Sequence, residues 1–349
     1  MLKWIEIDLG AIGDNCRAAR RLLKPGVRFQ AVVKADGYGH GAAEVARTAQ
    51  QAGADSFGVL TVEEAAALRE AGLMGPIHLL APPLPDEAAE VAALGLIPTV
   101  DSGELLSALD RVAKKPISVT VDLDFGLGRW GIPRRDLAKF LGELGRRKHL
   151  KLAGISTHLD YVAGKNQIEA EEKLKQFASS VRSVKAKYPK AAGHAANSSI
   201  LLDFPHWQLD GVRVGNLLYG VNRTSKPISL ENPWRFFARI ISLQKVRKGQ
   251  ALGYGSEYFA PSPMTVAALP AGYADGLTME PAERLIGLGR AYRYWGILKG
   301  REVPFIGRCG IAHVLVDVSS VPSARVGDPV LLPVRRTAAS ARIPRIYKR

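Results

Sequence analysis

Short apolar runs rich in β-branched residues recur at 29–33, 56–60, 77–80, 96–100, 117–121, 152–156, 191–195 and 212–214, with helical patterns between most of them. Strands that alternate with helices pair in parallel, because each crossover helix returns the chain to the same edge of the sheet. Eight such units over roughly 200 residues fit a (β/α)8 barrel, a TIM-like α/β domain, with a doubly wound open sheet as the structural alternative. The clearest helix covers 62–71: Thr61 caps it, Glu64 three residues on completes a capping box, and Gly72 stops it. Others cover 42–52, closed by Gly53, and 168–187.

Past residue 227 the texture changes. Runs at 236–243, 265–269, 303–306, 312–318 and 329–334 are separated by turns bearing glycine, proline or charge, without a helical pattern between them. The expected organisation is therefore a barrel domain over 1–226 and a mostly-β domain over 227–349. The N-terminal WIEIDL alternates apolar and acidic residues and is a candidate strand of that second domain. At 349 residues the chain exceeds one small core.

Where the first strand ends stands AVVKADGYGHG, residues 31–41, a buried run feeding a glycine-rich turn. Lys34 sits at the join. A lysine entering an apolar run must be paired, neutralised or used covalently, and burial takes its proton readily, which suits an amine that forms Schiff bases. The bland reading is a lysine that snorkels to solvent. Barrel enzymes place their chemistry at the C-terminal ends of strands, often with a phosphate site after strands seven and eight. Arg129 follows the fifth strand, His158 the sixth, Asn197 and Ser198 the seventh, while Arg213 lies in the eighth just before Gly215. Each alone reads as structural or surface; together they fall on one rim.

A net charge of +15 invites a nucleic-acid reading. The basic clusters around 146–151 and 335–349 interleave no stacking aromatics and match no nucleic-acid-binding signature, so solvated faces explain them more simply. No apolar stretch approaches the ~18 residues of a membrane span, and the N-terminus has no secretory apolar core. The expectation is a cytoplasmic protein with no nucleic-acid or membrane partner. Cys16 and Cys309 are the only cysteines, too few for a disulfide framework and not in metal spacing.

The KADGYGHG segment resembles, nearly letter for letter, the pyridoxal-phosphate (PLP) lysine motif of the alanine racemase family, a fold-type III group, and the resemblance extends over most of the chain. It implies that Lys34 carries PLP and that Tyr38 helps hold the phosphate. In HAANSSI, Ser198 matches a phosphate-binding serine and His194 a histidine behind it. In VRVGNLLYG, Arg213 matches the arginine facing the pyridine nitrogen, and Gly215 and Asn216 supply backbone N–H groups to the phosphate. Arg129 matches the arginine that approaches the substrate carboxylate. Tyr273 of AGYADG matches a tyrosine at the substrate entrance, and Ile311 stands where a methionine meets substrate through its backbone amide.

Racemisation needs a base on each face of a planar centre. The resemblance assigns Lys34 to one face and Tyr254, in GYGSEY, to the other, acting across a homodimer interface so that two subunits share each site. A tyrosine working near neutrality needs its pKa of about 10 lowered by about three units, roughly 4 kcal/mol, and His158 is the expected source. The implied activity is interconversion of L- and D-alanine, supplying D-alanine for peptidoglycan. A serine or broad-specificity racemase, a PLP-dependent decarboxylase and a non-catalytic PLP-binding protein are the alternatives.

The chain departs from the family pattern at three places. Ile311 and Ala312 replace a Met-Asp pair, and Asp122 stands where the family often has a carbamylated lysine near Arg129. The C-terminal tyrosine that contacts the phosphate has no counterpart; Tyr347 looks instead like the family's chain-terminal tyrosine. These departures bear on substrate range, cofactor affinity and turnover rather than on reaction type.

Overall fold

The computed structural model describes residues 1–256, 258–277 and 295–349. They form two compact units, one of residues 9–232 and one of residues 1–8 with 233–349.

The first unit is a barrel. Its strands are β2 (Arg28–Val32), β3 (Ser56–Val59), β4 (Ile77–Leu79), β5 (Ile97–Val100), β6 (Ile117–Asp124), β8 (Leu150–Ser156), β9 (Ala192–His194) and β10 (Gly211–Val214); β1 (Lys3–Asp8) belongs to the other unit, and β7 (Ile132–Pro133) only flanks β6. All eight pair in parallel in the order β10-β2-β3-β4-β5-β6-β8-β9. A bridge between Asn197 and Arg213, with Arg213 N–H donating to Ala196 O at 2.8 Å, joins the last strand to the chain after the seventh and nearly closes the ring. The open doubly wound alternative is thereby excluded. Each strand lies within three residues of its sequence-predicted run, β6 extending furthest beyond it, because runs such as Phe29, Ala31 and Val32, or Phe57 and Val59, are buried on both faces, as parallel strands under helices must be.

The helices Ala42–Gln51, Val62–Glu70 and Gln167–Lys187 stand where the patterns put them. Thr61 Oγ1 accepts the Glu64 N–H at 3.3 Å, so the cap is real. The box is not: the Glu64 carboxylate accepts from Leu60 N–H at 2.8 Å and from Ala35 N–H at 2.6 Å rather than from Thr61. The helix Leu9–Arg21, unmarked in the sequence pattern, buries Ile12, Cys16 and Ala19 on one face.

The second unit is a nine-stranded sheet. Its strands are β1, β11 (Trp234–Arg239), β12 (Ser242–Val246), β15 (Met264–Leu269), β16 (Trp295–Leu298), β17 (Arg301–Ile306), β18 (Val314–Asp317), β19 (Pro329–Leu332) and β20 (Arg345–Lys348), and a small hairpin joins β13 (Ala251–Leu252) to β14 (Tyr258–Phe259). The run at 236–243 breaks at Ile240 and Ile241, whose N–H groups bond Asp328 O and Ala268 O in different directions. The end of the basic tail is not merely solvated: β20 pairs in parallel with β1, which pairs on its other side with β11. Among the described residues no helix is long and apolar enough to cross a membrane.

Candidate functional site

At the C-terminal end of β2 the chain leaves the sheet through Val33 and Lys34 and then turns left-handed. Ala35 (φ 51°, ψ 53°), Asp36 (φ 51°, ψ 49°) and Gly37 (φ 60°, ψ 41°) are followed by Tyr38 at φ 55°. The sequence suggested that glycines would supply the tight backbone, yet three of these four residues carry a Cβ, each at a cost of about 1–2 kcal/mol. Local bonds hold the turn. Gly37 N–H donates to Val33 O (2.8 Å), Gly39 N–H to Ala35 O (2.9 Å), and Ala42 N–H to Asp36 Oδ1 (3.0 Å), while Glu64 takes Ala35 N–H. From below, Tyr219 supports it: its ring centroid lies 4.7 Å from that of Tyr38 and 4.8 Å from that of His40, and its hydroxyl donates to Val32 O at 3.0 Å.

The turn delivers Lys34 and Tyr38 to a cavity of about 280 Å³ at the strand ends, lined by the barrel unit alone. The same cavity is lined by Arg129, His158, Ser198, Arg213, Gly215 and Asn216, so eight of the expected site residues converge. Three others lie in the β unit. There Tyr273 N–H donates to Gly310 O and Ala274 N–H to Ile311 O, both at 3.0 Å, which sets Tyr273 beside Ile311. The Tyr254 ring is 63% exposed and sits 5.7 Å, centroid to centroid, from His313. A salt bridge of 2.8 Å from Lys3 to Asp275, whose Oδ2 also accepts Gly272 N–H at 3.0 Å, anchors the turn that carries Tyr273.

Electrostatics divide the cavity. Burial, and then the charge of Arg129, lower the Lys34 pKa, with Glu64 opposing. That favours the neutral amine needed for nucleophilic attack. Arg213 is buried at the barrel end: its guanidinium donates to His194 O (2.7 Å), Thr157 O (2.6 Å) and Ala195 O (3.3 Å), and meets His194 Nδ1 at 2.6 Å. Burial lowers its pKa to about 10, which leaves it cationic at neutral pH. Around it the imidazoles are kept neutral. Burial first, and nearby cations second, push His158 to about 3 and His78 to about 4. A neutral His158 carries no positive charge, so any influence on a tyrosine would have to come through a hydrogen bond from its ring N–H.

Asp122 answers the question raised by its position. Its carboxylate accepts a short hydrogen bond from Ser156 Oγ, and burial raises its pKa to about 6 against the pull of Ser156, Arg213 and Arg129. It is thus an anion built into the floor near Arg129. Arg129 in turn lays its guanidinium carbon 3.6 Å from the centroid of the Trp130 ring.

The neutral donors gather at the other end. Asn197 caps the helix Ser198–Asp203 by accepting Ser199 N–H and Ile200 N–H, both at 3.0 Å. That places Ser198 Oγ to accept Gly215 N–H at 3.2 Å, leaving the hydroxyl proton for an anion. The Gly215 amide, expected to face a phosphate itself, is therefore directed at Ser198. Gly215 must lack a side chain here, since a Cβ would lie 2.8 Å from Tyr38 Oη. Sequence reasoning missed Glu64, hidden as an ordinary helix-capping residue, and Arg223, which lines the cavity from a loop with no motif.

Residues 7–223 match the family model for the alanine racemase N-terminal domain and residues 234–345 that for its C-terminal domain. An alanine racemase of Desulfovibrio desulfuricans is 35% identical over 336 residues, covering 94% of this chain and 88% of the relative. One of Syntrophobacter fumaroxidans is 35% identical over 335 residues, covering 94% and 87%. Among solved structures, an alanine racemase of Clostridium difficile 630 superimposes with a TM-score of 0.91 at 25% identity, covering all of this chain and 96% of the other. One of Bacillus anthracis with bound L-Ala-P gives 0.87 at 26%, covering 100% and 95%. With both domain models matched along a nearly closed barrel and a β unit, the chain belongs to the alanine racemase family.

Proposed function

We propose that this protein interconverts L- and D-alanine with PLP carried on Lys34, and that it works as a cytoplasmic homodimer supplying D-alanine for peptidoglycan. The observation that carries the reading is the meeting of Lys34, Tyr38, Ser198, Arg213 and Gly215 in one cavity at the barrel's strand ends. These residues fit PLP. A desolvated amine suits the aldehyde, the Ser198 hydroxyl and Tyr38 suit the phosphate, and the gap kept by Gly215 leaves the Tyr38 hydroxyl room. PLP, when bound, supplies an electron sink that makes the α C–H of an attached amino acid acidic.

The chain's own groups do the rest. Lys34, with its depressed pKa, takes or returns the proton at Cα from one face. Tyr254, contributed by a second copy of the chain, holds or returns it from the other. Arg129 orients the substrate by its carboxylate, its guanidinium already held over the Trp130 ring. Arg213, fixed by backbone carbonyls and cationic at neutral pH, would be the residue to meet the ring nitrogen of bound PLP and would disfavour its protonation.

The test is incubation of the PLP-loaded protein with L-alanine, and separately with L-serine, in heavy water. D-alanine formation with α-deuterium uptake, abolished by Lys34→Ala, is the expected result, and the two substrates rank specificity. No exchange with either substrate, despite bound PLP, would overturn the reading.

A further inference from the structure

The donors gathered for a phosphate at this site, Tyr38 Oη, Ser198 Oγ and the backbone at Asn216, are all neutral, whereas a phosphate monoester carries nearly two negative charges. Four cationic side chains line the cavity: Lys34, Arg129, Arg213 and Arg223. Three are committed. Lys34 is the amine for the aldehyde, Arg129 lies on Trp130 facing Asp122, and Arg213 spreads its donors over His194, Thr157 and Ala195. Among the described residues no carboxylate or carbonyl holds Arg223.

Its place in the chain brings it to the neutral donors. Asn216 opens the short 3₁₀ turn Asn216–Tyr219, and Val221 N–H folds back to Asn216 O at 3.0 Å, so residue 223 follows two positions from a contact with the donor segment itself. The loop is bonded in that shape. Asn222 Oδ1 accepts from Thr224 N–H (2.8 Å) and Thr224 Oγ1 (3.1 Å), and Asn222 Nδ2 donates to Lys226 O (2.7 Å). A guanidinium carried on such a loop is partly preorganised, and its fork matches two phosphate oxygens.

We infer that Arg223 is the cation that neutralises the cofactor phosphate, in a chain that has no counterpart of the family's C-terminal phosphate-contacting tyrosine. This rests on the reading of the cavity as a PLP site. The salt-sensitive part of cofactor affinity then resides in one loop residue of the barrel, while Ser198 and Tyr38 set direction rather than charge.

The experiment titrates the full-length chain, freed of cofactor, with PLP and with pyridoxal, which has the same ring and aldehyde without the phosphate, following the absorbance of the lysine-bound ligand. Arg223→Ala should weaken PLP by about tenfold or more and leave pyridoxal unchanged, and Arg223→Lys should recover much of the loss. Added salt should weaken PLP in the wild type more than in Arg223→Ala. Equal loss of both ligands would make Arg223 a loop support only, and unchanged PLP affinity would remove it from the phosphate; either overturns the inference while the cofactor reading stands. A wild-type chain that takes up neither ligand overturns the cofactor reading and the inference with it.

Discussion

The carboxylate of Glu64 accepts the backbone N–H of Ala35 at 2.6 Å, so the helix after β3 holds the residue next to Lys34 in its left-handed conformation. Its other oxygen takes Leu60 N–H at 2.8 Å, and its charge is the one group that opposes the lowering of the Lys34 pKa.

Glu64→Ala removes an acceptor from two backbone donors and should cost about 2 kcal/mol, read as a lower urea midpoint. Glu64→Gln keeps one acceptor oxygen but removes the charge, which lowers the Lys34 pKa further. Reaction of Lys34 with pyridoxal, followed against pH, should then move to lower pH. An unmoved profile would leave Glu64 a purely structural brace.

Asp122 supplies the pH dependence. Its folded-state pKa of about 6 lies above the ordinary carboxylate value, so the carboxyl costs stability above pH 6, and that cost disappears as pH falls from 6 toward 4. Two pKa units correspond to about 3 kcal/mol at most, of which roughly half persists at pH 5, so Asp122→Asn should narrow the difference in stability between pH 8 and pH 5 by about 1.5 kcal/mol. In kinetics, protonation removes a negative charge near the arginine proposed to bind the substrate carboxylate. The KM for alanine should therefore carry a component that falls as pH drops through 6, absent in Asp122→Asn.

Gly215→Ala sets a methyl 2.8 Å from Tyr38 Oη and should displace the tyrosine, weakening PLP binding about tenfold. Adding Tyr38→Phe removes the hydroxyl that clashes. A double variant that binds PLP no worse than Tyr38→Phe alone would place the effect of Gly215 in that contact; additive losses would place it elsewhere.

Tyr254→Phe should retain PLP affinity and slow α-proton removal from one alanine enantiomer by about 10²-fold or more, the usual scale for a positioned acid–base group. Deuterium exchange measured separately from L- and D-alanine checks it. Equal rates in both directions would remove Tyr254 from proton transfer.

The barrel was legible because each buried strand is a short apolar run closed by a turn, and parallel strands covered by helices allow no polar alternation. The helix Leu9–Arg21 was not: its arginines and glycines mask an apolar stripe that only packing makes visible. Strand β20 was hidden for the opposite reason, since a basic RIYK reads as solvent until β1 offers a partner. At the site, Lys34 and Tyr38 could be read from a dense local motif. Glu64 could not, because its bond to Ala35 depends on the turns after two neighbouring strands, β2 and β3, meeting at the rim. Neither could the neutral state of His158, which depends on how many cations fold around it.

Strand β1 lies between β11 and β20, so residues 3–8 and 345–348 are neighbours in one sheet although nearly the whole chain separates them. The barrel, by contrast, is one uninterrupted stretch. During synthesis the barrel can close as soon as it clears the ribosome, whereas β1, made first, waits for β11 on one edge and for the last strand on the other. The edge that takes β20 stays open through all of that time. The acidic Glu6 and Asp8 in the strand, and the immediate start of a helix at Leu9, then act as guards against mispairing during the wait.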